Sequence, residues 1–334
     1  MATRDIIVIG ASSGGVEALQ DFAGSLPVDL PAALFVVLHL PTHFPSHLAS
    51  ILSRSGPLPA TDAVDRQEIR RGTIYVAPPG FHLLVGDGFL SVARGPRVNR
   101  SRPSIDLLFQ SAASSYGPRV IGVVLSGMLD DGTRGLAAIK RRGGCVVVQD
   151  PEEALFASMP RSAVEKVSVD RILPVADIGP ALRELVSAPL KGEVTVAEHT
   201  SQNGGSSPDG NGDLSREISP FTCPDCGGTL WEMEEGAVVH YQCRVGHAFS
   251  PSNLIAAQVD EVESLLWASL RAMEERESIW RMILNRSGER GAIAVQTRIE
   301  AKIETNRRHA ELLRQILLDE EPSYALPRHL YRQG

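Results

Sequence analysis

Three kinds of side chain that together perform acyl transfer follow three apolar runs of the sequence. Ser12 lies in ASSGG directly after DIIVIG, His39 ends the run ALFVVLH, and two adjacent aspartates in GMLDDG follow VIGVVLS. A serine hydroxyl becomes a nucleophile when a base takes its proton, and a carboxylate holds an imidazole base in the required tautomer. If the three runs are strands that end at one edge of a sheet, the sequence predicts a serine-dependent esterase site at that edge.

The glycine-rich segment around Ser12 allows two interpretations. Residues 10–14 fit the G-x-S-x-G pattern of a nucleophile turn, in which the serine is exposed between a strand and a helix. The same segment could instead bind a phosphate at the helix N-terminus, as in a nucleotide-binding domain. It lacks the lysine of a P-loop, and His39 rather than an acidic residue ends the second strand. These differences favour the nucleophile and leave nucleotide binding as the weaker alternative.

Three histidines, His39, His43 and His47, recur at four-residue steps, which is the spacing of metal ligands on one face of a helix. Pro41 and Pro45 interrupt this stretch. Because proline removes a backbone donor and breaks the interior of a helix, one continuous helix through all three histidines is not expected. We therefore interpret His39 as a base and not as a metal ligand.

The predicted site depends on a sheet whose strands end side by side. Runs that are apolar throughout, without alternation, indicate strands covered on both faces. Such runs occupy residues 5–10, 33–39, 72–77, 120–126 and 144–149. Helix-like spacing occurs at residues 16–24, 104–116 and 134–142, and an inserted hairpin is predicted at 81–84 and 89–93. This alternation predicts an α/β fold with a doubly wound parallel sheet.

Five segments within residues 4–185 resemble, in order, the catalytic domain of the chemotaxis receptor methylesterases, the CheB family. The segments are IGASSGG, VVLHLP, APPGFHLLV, NRSRPSID and VVLSGMLDDG. The resemblance implies hydrolysis of glutamate γ-methyl esters on chemoreceptor-type proteins, deamidation of particular glutamines, and no cofactor for catalysis. Residue by residue, it implies Ser12 as the nucleophile, His39 as the base, and Asp131 rather than its neighbour Asp130 as the acid.

The same resemblance indicates which neighbours would bind the oxyanion of a tetrahedral intermediate. Met128 lies in the loop that supplies a backbone amide in this family, and Ser13 occupies a position where the family often has threonine. Backbone N–H groups near Ser13, Gly14 and Met128 are therefore expected to bind the oxyanion, each contributing about 3 kcal/mol. Methanol would leave, and water would then attack the acyl-enzyme.

Composition divides the chain into four predicted segments. Residues 1–190 carry the α/β pattern, residues 191–219 are rich in Gly, Ser, Asn and Asp and predict a flexible linker, and residues 220–250 hold a compact Cys/His unit. Residues 251–320 carry apolar residues at three- and four-residue steps with a break near 287–291, which predicts an amphipathic helical hairpin. Packing between the two helices is the simpler role for these apolar residues, and binding of a signalling partner is the alternative.

The Cys/His unit has the ligand spacing of a metal site. Cys223-x2-Cys226 and Cys243-x3-His247 form two half-sites, and three thiolates with one imidazole suit tetrahedral Zn²⁺. Four protein ligands leave no open coordination position, so the sequence predicts a structural zinc ion in a zinc-ribbon-like unit. A metal-free unit with three reduced cysteines is the alternative.

Bulk properties exclude other classes of protein. The net charge of −7, the isoelectric point near 5.8 and the aromatic content of 5% argue against a nucleic-acid-binding protein. Apolar runs are shorter than the roughly 20 residues of a membrane span, and the first one is too short for a signal peptide. We therefore expect a cytoplasmic protein without membrane insertion. In the classical enzymes of the CheB family, a receiver domain precedes the catalytic domain. Here the first strand begins at about residue 5, so no receiver domain is expected ahead of it.

Two functions of different classes fit these features. The leading one is a serine hydrolase that removes methyl esters from a methylated chemoreceptor-type protein in chemosensory signalling. The alternative is a signalling adaptor that retains the esterase fold for partner binding, with the C-terminal segments recruiting the partner. Because Ser12, His39 and Asp131 are all intact, the sequence favours the enzyme.

Overall fold

The computed structural model describes residues 3–40, 46–190, 216–235, 238–287 and 293–319. The chain divides into two compact units, Met1–Leu254 and Ile255–Gly334. The strands are β1 Ile6–Ala11, β2 Ala33–Leu38, β3 Ala60–Asp62, β4 Ile74–Val76, β5 His82–Val85, β6 Leu90–Ala93, β7 Val120–Val124, β8 Cys145–Gln149, β9 Arg171–Leu173, β10 Arg216–Thr222, β11 Thr229–Glu235, β12 Val238–Cys243 and β13 Ala248–Phe249. The helices are α1 Gly15–Ser25, α2 Leu48–Ser55, α3 Ile105–Tyr116, α4 Thr133–Arg141, α5 Ser158–Lys166, α6 Val175–Ser187, α7 Pro251–Ser287 and α8 Ile293–Asp319.

Seven parallel strands form the large sheet of the first unit, in the order β3-β4-β2-β1-β7-β8-β9. In β1, Ile7 and Ile9 pack with buried residues of α1, α2 and α6 on one face of the sheet. Val8 packs on the other face with buried residues of α3, α4 and α5. Because helices cover both faces, the strands are apolar throughout. The predicted doubly wound α/β fold is confirmed.

The strand order reverses beside β1, which lies between β2 and β7 and pairs with both of them in parallel. The carboxyl ends of these three strands therefore meet at one edge of the sheet. In open α/β sheets, ligands bind in the crevice at such a switch point. Ser12, His39 and the GMLDDG segment follow the three strands that meet there.

Five elements within residues 3–190, namely α2, β3, α5, α6 and β9, were not predicted from the sequence. Pro160 lies in the first turn of α5, and Pro180 lies inside α6. Proline weakens the sequence signal for a helix because it has no backbone N–H to donate. Tertiary contacts compensate in α6, where the Gly179 amide donates to Ser25 Oγ at 3.2 Å and the helix contributes buried residues to the core.

Strands β10 to β13 form a separate antiparallel sheet that carries the predicted metal ligands. Residues 216–219, which composition assigns to the linker, lie in β10. The linker prediction is wrong at this end because pairing with β11, for example Ile218 with Trp231, outweighs the polar composition. Residues 191–215 lie outside the described residues. This small sheet belongs to the same compact unit as the large sheet, although composition predicts a flexible linker between them.

In the second unit, α7 and α8 contact each other through Asn306. Its side chain accepts a hydrogen bond from Arg276 Nε at 2.9 Å and donates one to the Met273 carbonyl oxygen at 2.8 Å. Leu270 and Ile303 are buried, so part of the apolar stripe forms a helix-to-helix core. The exposed apolar residues include Val262, Leu265, Ile279, Leu312 and Ile316. Among the described residues, no helix combines the length and the apolar character needed to cross a bilayer.

Candidate active site

Ser12, His39 and Asp131 form a continuous chain of hydrogen bonds at the carboxyl edge of the large sheet. The Nδ1 atom of His39 lies 3.2 Å from Ser12 Oγ, and its Nε2 atom lies 2.9 Å from Asp131 Oδ2. The His39 amide donates to the Ala11 carbonyl oxygen at 3.2 Å and so continues the pairing of β2 with β1. With the imidazole protonated on Nε2, Nδ1 can accept the serine proton. The structure brings Ser12 and His39, predicted from the strand ends, together with Asp131, which the family resemblance selected from the two adjacent aspartates.

Backbone geometry shapes the turn that carries Ser12. Gly14, directly before α1, has a φ of 67°, in the left-handed region that favours glycine. A Cβ atom on Gly14 would come within 2.9 Å of Ser126 Oγ, which donates to the Ser13 carbonyl oxygen at 2.9 Å. The Ser12 amide donates to the Ser126 carbonyl oxygen at 3.0 Å. Ser126, which was not predicted from the sequence, thus ties the nucleophile turn to the loop after β7.

The loop after β7 approaches Ser12 closely at Gly127. A Cβ atom on Gly127 would lie 3.0 Å from Ser12 Cβ and 2.5 Å from Met159 Cε, so a larger residue would displace its neighbours. Met128 follows directly and is 37% exposed. The predicted oxyanion neighbours therefore flank Ser12 on two sides, one group in the turn before α1 and the other in the loop after β7.

Asp131 is buried and accepts hydrogen bonds from four groups besides His39. They are Asn99 Nδ2 at 2.9 Å, Ser104 Oγ at 3.3 Å, and the amides of Ile105 and Asp106 at 2.8 and 3.3 Å. The two amides are the first N–H groups of α3, whose dipole favours a negative charge. Burial opposes ionisation, but hydrogen bonds from His39, Asn99 and Ile105 outweigh it and hold the pKa of Asp131 below its usual value. The carboxylate therefore stays charged beside the imidazole.

Asp106 is a second buried carboxyl group in the same network. Its Oδ2 atom accepts a hydrogen bond from Asn99 Nδ2 at 2.9 Å, and its Oδ1 atom accepts from the Gly132 and Gly135 amides at 3.0 and 2.7 Å. Burial, and then the charge of Asp131, raise the pKa of Asp106 to about 7. Asn99 and Asp106 were not predicted as site residues, although both lie in the NRSRPSID segment at the start of a predicted helix.

Asp130 has partners different from those of its neighbour Asp131. Its Oδ1 atom accepts hydrogen bonds from Ser250 Oγ at 2.6 Å and Asn253 Nδ2 at 2.7 Å, and its Oδ2 atom lies 3.3 Å from Lys166 Nζ. Of the two adjacent aspartates, Asp131 is the one that contacts the triad histidine, in agreement with the family resemblance. Ser250 is the last residue of the Cys/His unit, and Asn253 lies three residues after it. This end of the unit therefore contacts the loop that carries Asp131, although the sequence predicts a flexible linker between the two.

The four predicted metal ligands form one cluster in the small sheet. The Sγ atoms of Cys223, Cys226 and Cys243 and a ring nitrogen of His247 lie within 4.8 Å of one another. Adjacent pairs are 3.6 or 3.7 Å apart, close to the spacing of about 3.8 Å expected between ligands of a tetrahedral site with bonds of about 2.3 Å. A carboxylate oxygen of Asp225 lies 4.0 Å from His247 Nε2, which is longer than a hydrogen bond. The donor set fits a four-coordinate metal ion.

Of the histidines spaced at four-residue steps, the structure describes His39 and His47. His39 contacts Ser12, whereas His47 directly precedes α2, and His43 lies outside the described residues. Within the described ranges, the Cys/His cluster is the one grouping of three or more metal-type side chains. Among the described residues, His39 therefore does not belong to a group of metal ligands.

Known proteins share both the sequence pattern and the fold of residues 3–190. The family model for CheB methylesterase matches residues 7–182, slightly more than half of the chain. A Leptospira interrogans protein, provisionally named protein-glutamate methylesterase/protein-glutamine glutaminase, is 42% identical over 175 residues, which are 52% of this chain and 91% of that protein. A protein-glutamate methylesterase/protein-glutamine glutaminase of Anaeromyxobacter dehalogenans is 42% identical over 184 residues, 55% of this chain and 54% of that protein.

A solved structure extends the comparison to three dimensions. The crystal structure of the Thermotoga maritima CheB methylesterase catalytic domain is 35% identical and superimposes with a TM-score of 0.53, covering 55% of this chain and 100% of that domain. The segment matched by the family model contains Ser12, His39 and Asp131 and ends before the Cys/His unit. On this sequence match and this shared fold, the chain belongs to the CheB methylesterase family.

Proposed function

We propose that this chain is a protein-glutamate methylesterase, a serine hydrolase that removes γ-methyl esters from glutamate side chains of a chemoreceptor-type protein in chemosensory signalling. The observation that carries the proposal is the hydrogen-bond chain from Ser12 through His39 to Asp131 at the switch point of the sheet. The name of the Anaeromyxobacter dehalogenans relative supports the same reaction and adds glutamine deamidation as a second activity.

The proposed reaction uses His39 as the base in two successive steps. Its Nδ1 atom takes the hydroxyl proton as Ser12 Oγ attacks the ester carbonyl carbon, and N–H groups near Ser13, Gly14 and Met128 bind the oxyanion. The bond to the methoxy oxygen then breaks, and the imidazolium returns the proton so that methanol leaves. Water, deprotonated by the same imidazole, attacks the acyl-enzyme, the bond to Ser12 Oγ breaks, and the imidazolium returns the proton to Ser12 as the glutamate carboxylate is released. With glutamine, ammonia leaves in place of methanol.

Asp131 has the electrostatic properties that this role needs. Its lowered pKa keeps a negative charge opposite the imidazolium that forms in each step. Hydrogen bonds from Asn99 and from the first amide of α3 restrain its carboxylate. Because the charge and its partners are already in place, little reorganisation is required when the imidazolium forms.

A structural zinc ion, held by Cys223, Cys226, Cys243 and His247, is the second part of the proposal. Four protein donors at tetrahedral spacing support it, and they leave no coordination position for a substrate. When bound, the ion would supply folding free energy to a unit too small to build a large core of its own. Because the thiol groups must remain reduced to bind zinc, we also propose that the protein works in the cytoplasm.

Exposed apolar side chains on the C-terminal helices support a further role in partner binding. Val262, Leu265 and Ile279 are 54%, 60% and 51% exposed. Apolar residues that remain on a surface in this way mark interaction sites when they lie close together. We propose that α7 and α8 bind a signalling partner, which is the adaptor function considered from the sequence.

Release of labelled methanol from a methylated chemoreceptor tests the esterase proposal. The full chain is expected to release methanol, and Ser12→Ala is expected to lose about 10⁴-fold or more, because nucleophile and base act as a unit. Ser187→Ala, which removes an exposed serine hydroxyl of α6, serves as the control. Full activity in Ser12→Ala would exclude the serine mechanism. If the wild type releases no methanol but Ser12 reacts with a fluorophosphonate, the serine hydrolase stands and the substrate assignment is wrong.

A further inference from the structure

The junction between β13 and α7 lies against the carboxylate end of the triad. The Asn99 amide donates to the Ala248 carbonyl oxygen at 2.7 Å, and the Ala248 amide donates to the Arg97 carbonyl oxygen at 3.3 Å. The loop that carries Asn99 is therefore paired, as an edge strand would be, with the last strand of the Cys/His unit. Its position depends on a segment about 150 residues later in the chain.

One side-chain amide connects this junction to the catalytic carboxylate. Asn99 Nδ2 donates to Asp131 Oδ1 at 2.9 Å, and Asn99 Oδ1 accepts a hydrogen bond from the Ser250 amide at 2.9 Å. Asn99 is 6% exposed and has a φ of 49°, a left-handed conformation that asparagine tolerates better than most residues. The Ser250 amide thus determines which end of the Asn99 side chain faces Asp131.

A second connection runs through Asp130, the residue next to Asp131 in the chain. Ser250 Oγ and Asn253 Nδ2 donate to the same oxygen of Asp130, at 2.6 and 2.7 Å. Ser250 also accepts a hydrogen bond from the Asn253 amide at 3.1 Å and so caps the start of α7. Asp130 is 5% exposed, so its carboxylate has few alternative partners in water.

We propose that Ser250 and Asn253 are positioning residues of the esterase, and that the β13–α7 junction keeps Asp131 aligned with His39 through Asp130 and Asn99. The inference rests on the proposed serine mechanism and adds the C-terminal segment to it. Two hydrogen-bonded routes reach Asp131, one through the side chain of Asn99 and one through the backbone that follows Asp130. Since displacements of about 1 Å can slow an enzyme about 100-fold, loss of this support should lower kcat.

Asn253→Asp in the full chain gives the sharpest test. It preserves the size of the side chain but replaces the donor to Asp130 with a second carboxylate, in a place that is 2% exposed. We expect kcat for methanol release to fall about 10- to 100-fold with KM nearly unchanged. Ser252→Ala, one position earlier in α7, is the matched control and should retain wild-type kcat. The rate at which a fluorophosphonate labels Ser12 should fall by a similar factor.

A compensating change separates positioning from general damage. Asp130→Asn combined with Asn253→Asp reverses donor and acceptor across the same contact, and we expect the double variant to recover at least about tenfold in labelling rate. Failure to recover would assign the loss to disturbed folding and overturn the inference. If Asn253→Asp does not fold, Ser250→Ala, which removes one hydroxyl group, decides instead. If the folded variants are labelled at the wild-type rate, the proposal is overturned. Because labelling measures the reactivity of Ser12 directly, this test holds even if the receptor ester is not the substrate.

Discussion

Ser12 and Asp131 are the two ends of one hydrogen-bond chain, yet they are held in different ways. Ser12 lies in a turn shaped by close backbone approaches, with a left-handed Gly14 on one side and Gly127 against its Cβ atom on the other. Asp131 is held by polar groups: a side-chain amide from Asn99, the N-terminus of α3, and indirectly Ser250 of the C-terminal segment.

This difference predicts which kind of change each end should tolerate. At the nucleophile, the space available to the backbone is decisive, so added volume should be harmful even without any change in charge. At the acid, a buried carboxylate depends on its donors, so a change of one atom from acceptor to donor should be harmful at constant volume. Substitutions at the two ends, and in the segments behind them, test this comparison.

Asp131→Asn is expected to have the largest effect, lowering kcat by about 10⁴-fold, because an amide beside Nε2 stabilises the wrong imidazole tautomer. Methanol release and fluorophosphonate labelling of Ser12 measure it. Asp130→Asn is the matched control, and it should cost no more than about 100-fold because Asp130 acts only through its neighbours. A larger loss in Asp130→Asn than in Asp131→Asn would reverse the roles of the two aspartates.

Gly127→Ala is expected to lower kcat by about 100-fold, since the added Cβ would lie 3.0 Å from Ser12 Cβ and would push the nucleophile away from His39. Gly122→Ala, in the same β7 region, is the control. Its Cβ would lie 2.7 Å from core atoms of Leu136 and Ile139, so it should cost about 1–3 kcal/mol of stability but little activity once folded. Equal kcat losses in the two folded variants would show that crowding at Ser12 is not special.

Removal of the metal from the Cys/His unit is expected to lower kcat about tenfold, because the β13–α7 junction next to it supports Asp131. Elemental analysis of the full chain should find one zinc ion, and adding zinc after chelation should restore activity. Unchanged kcat in metal-free protein would separate the unit from catalysis. That result would support a Cys/His unit that is coupled to the α/β domain only through the predicted flexible linker.

The smallest effect concerns His240, which is buried in β12 and whose Nδ1 atom has no hydrogen-bond partner among the described residues. Burial, and then the charge of Arg134, lower the pKa of His240 to about 3. Because the pKa of His240 in the folded chain lies below the ordinary value of 6.5, the unfolded chain binds a proton on His240 first as the pH falls. The free energy of unfolding therefore has its full value above pH 6.5 and decreases as the pH falls toward 3.

Urea unfolding at pH 7.5 and 5.5 measures this contribution. Between these pH values the free energy of unfolding of the wild type should fall by about 1 kcal/mol more than that of His240→Leu, because the unfolded chain takes up a proton on His240 that the folded chain does not. His309→Leu, in α8 of the second unit, serves as the control and should follow the wild type. Identical pH dependence in wild type and His240→Leu would show that folding does not lower the pKa of His240.

The amino-acid sequence alone predicts the five central strands of the large sheet and the side chains that follow them. Strands covered on both faces are continuous apolar runs, and parallel strands end at the same edge, so the pattern of runs predicts that Ser12, His39 and the two adjacent aspartates lie together, and the family resemblance selects Asp131. The Cys/His cluster could also be predicted from the sequence, because its ligands occur in two short, regular spacings. Helices α5 and α6 were not predicted because each contains a proline, which weakens the sequence signal for a helix. Tertiary packing stabilises both helices in spite of it.

Only the tertiary structure decided what supports Asp131. Asn99, Ser250 and Asn253 carry no local signature, since asparagine and serine are common in loops and at helix starts. Their function arises from the pairing of β13 with the loop before α3, two segments about 150 residues apart. Composition placed a flexible linker between those segments, and composition reports how a chain behaves locally, not which distant surfaces it brings into contact. The position of Asn99, one of the donors to the buried carboxylate of Asp131, depends on that contact.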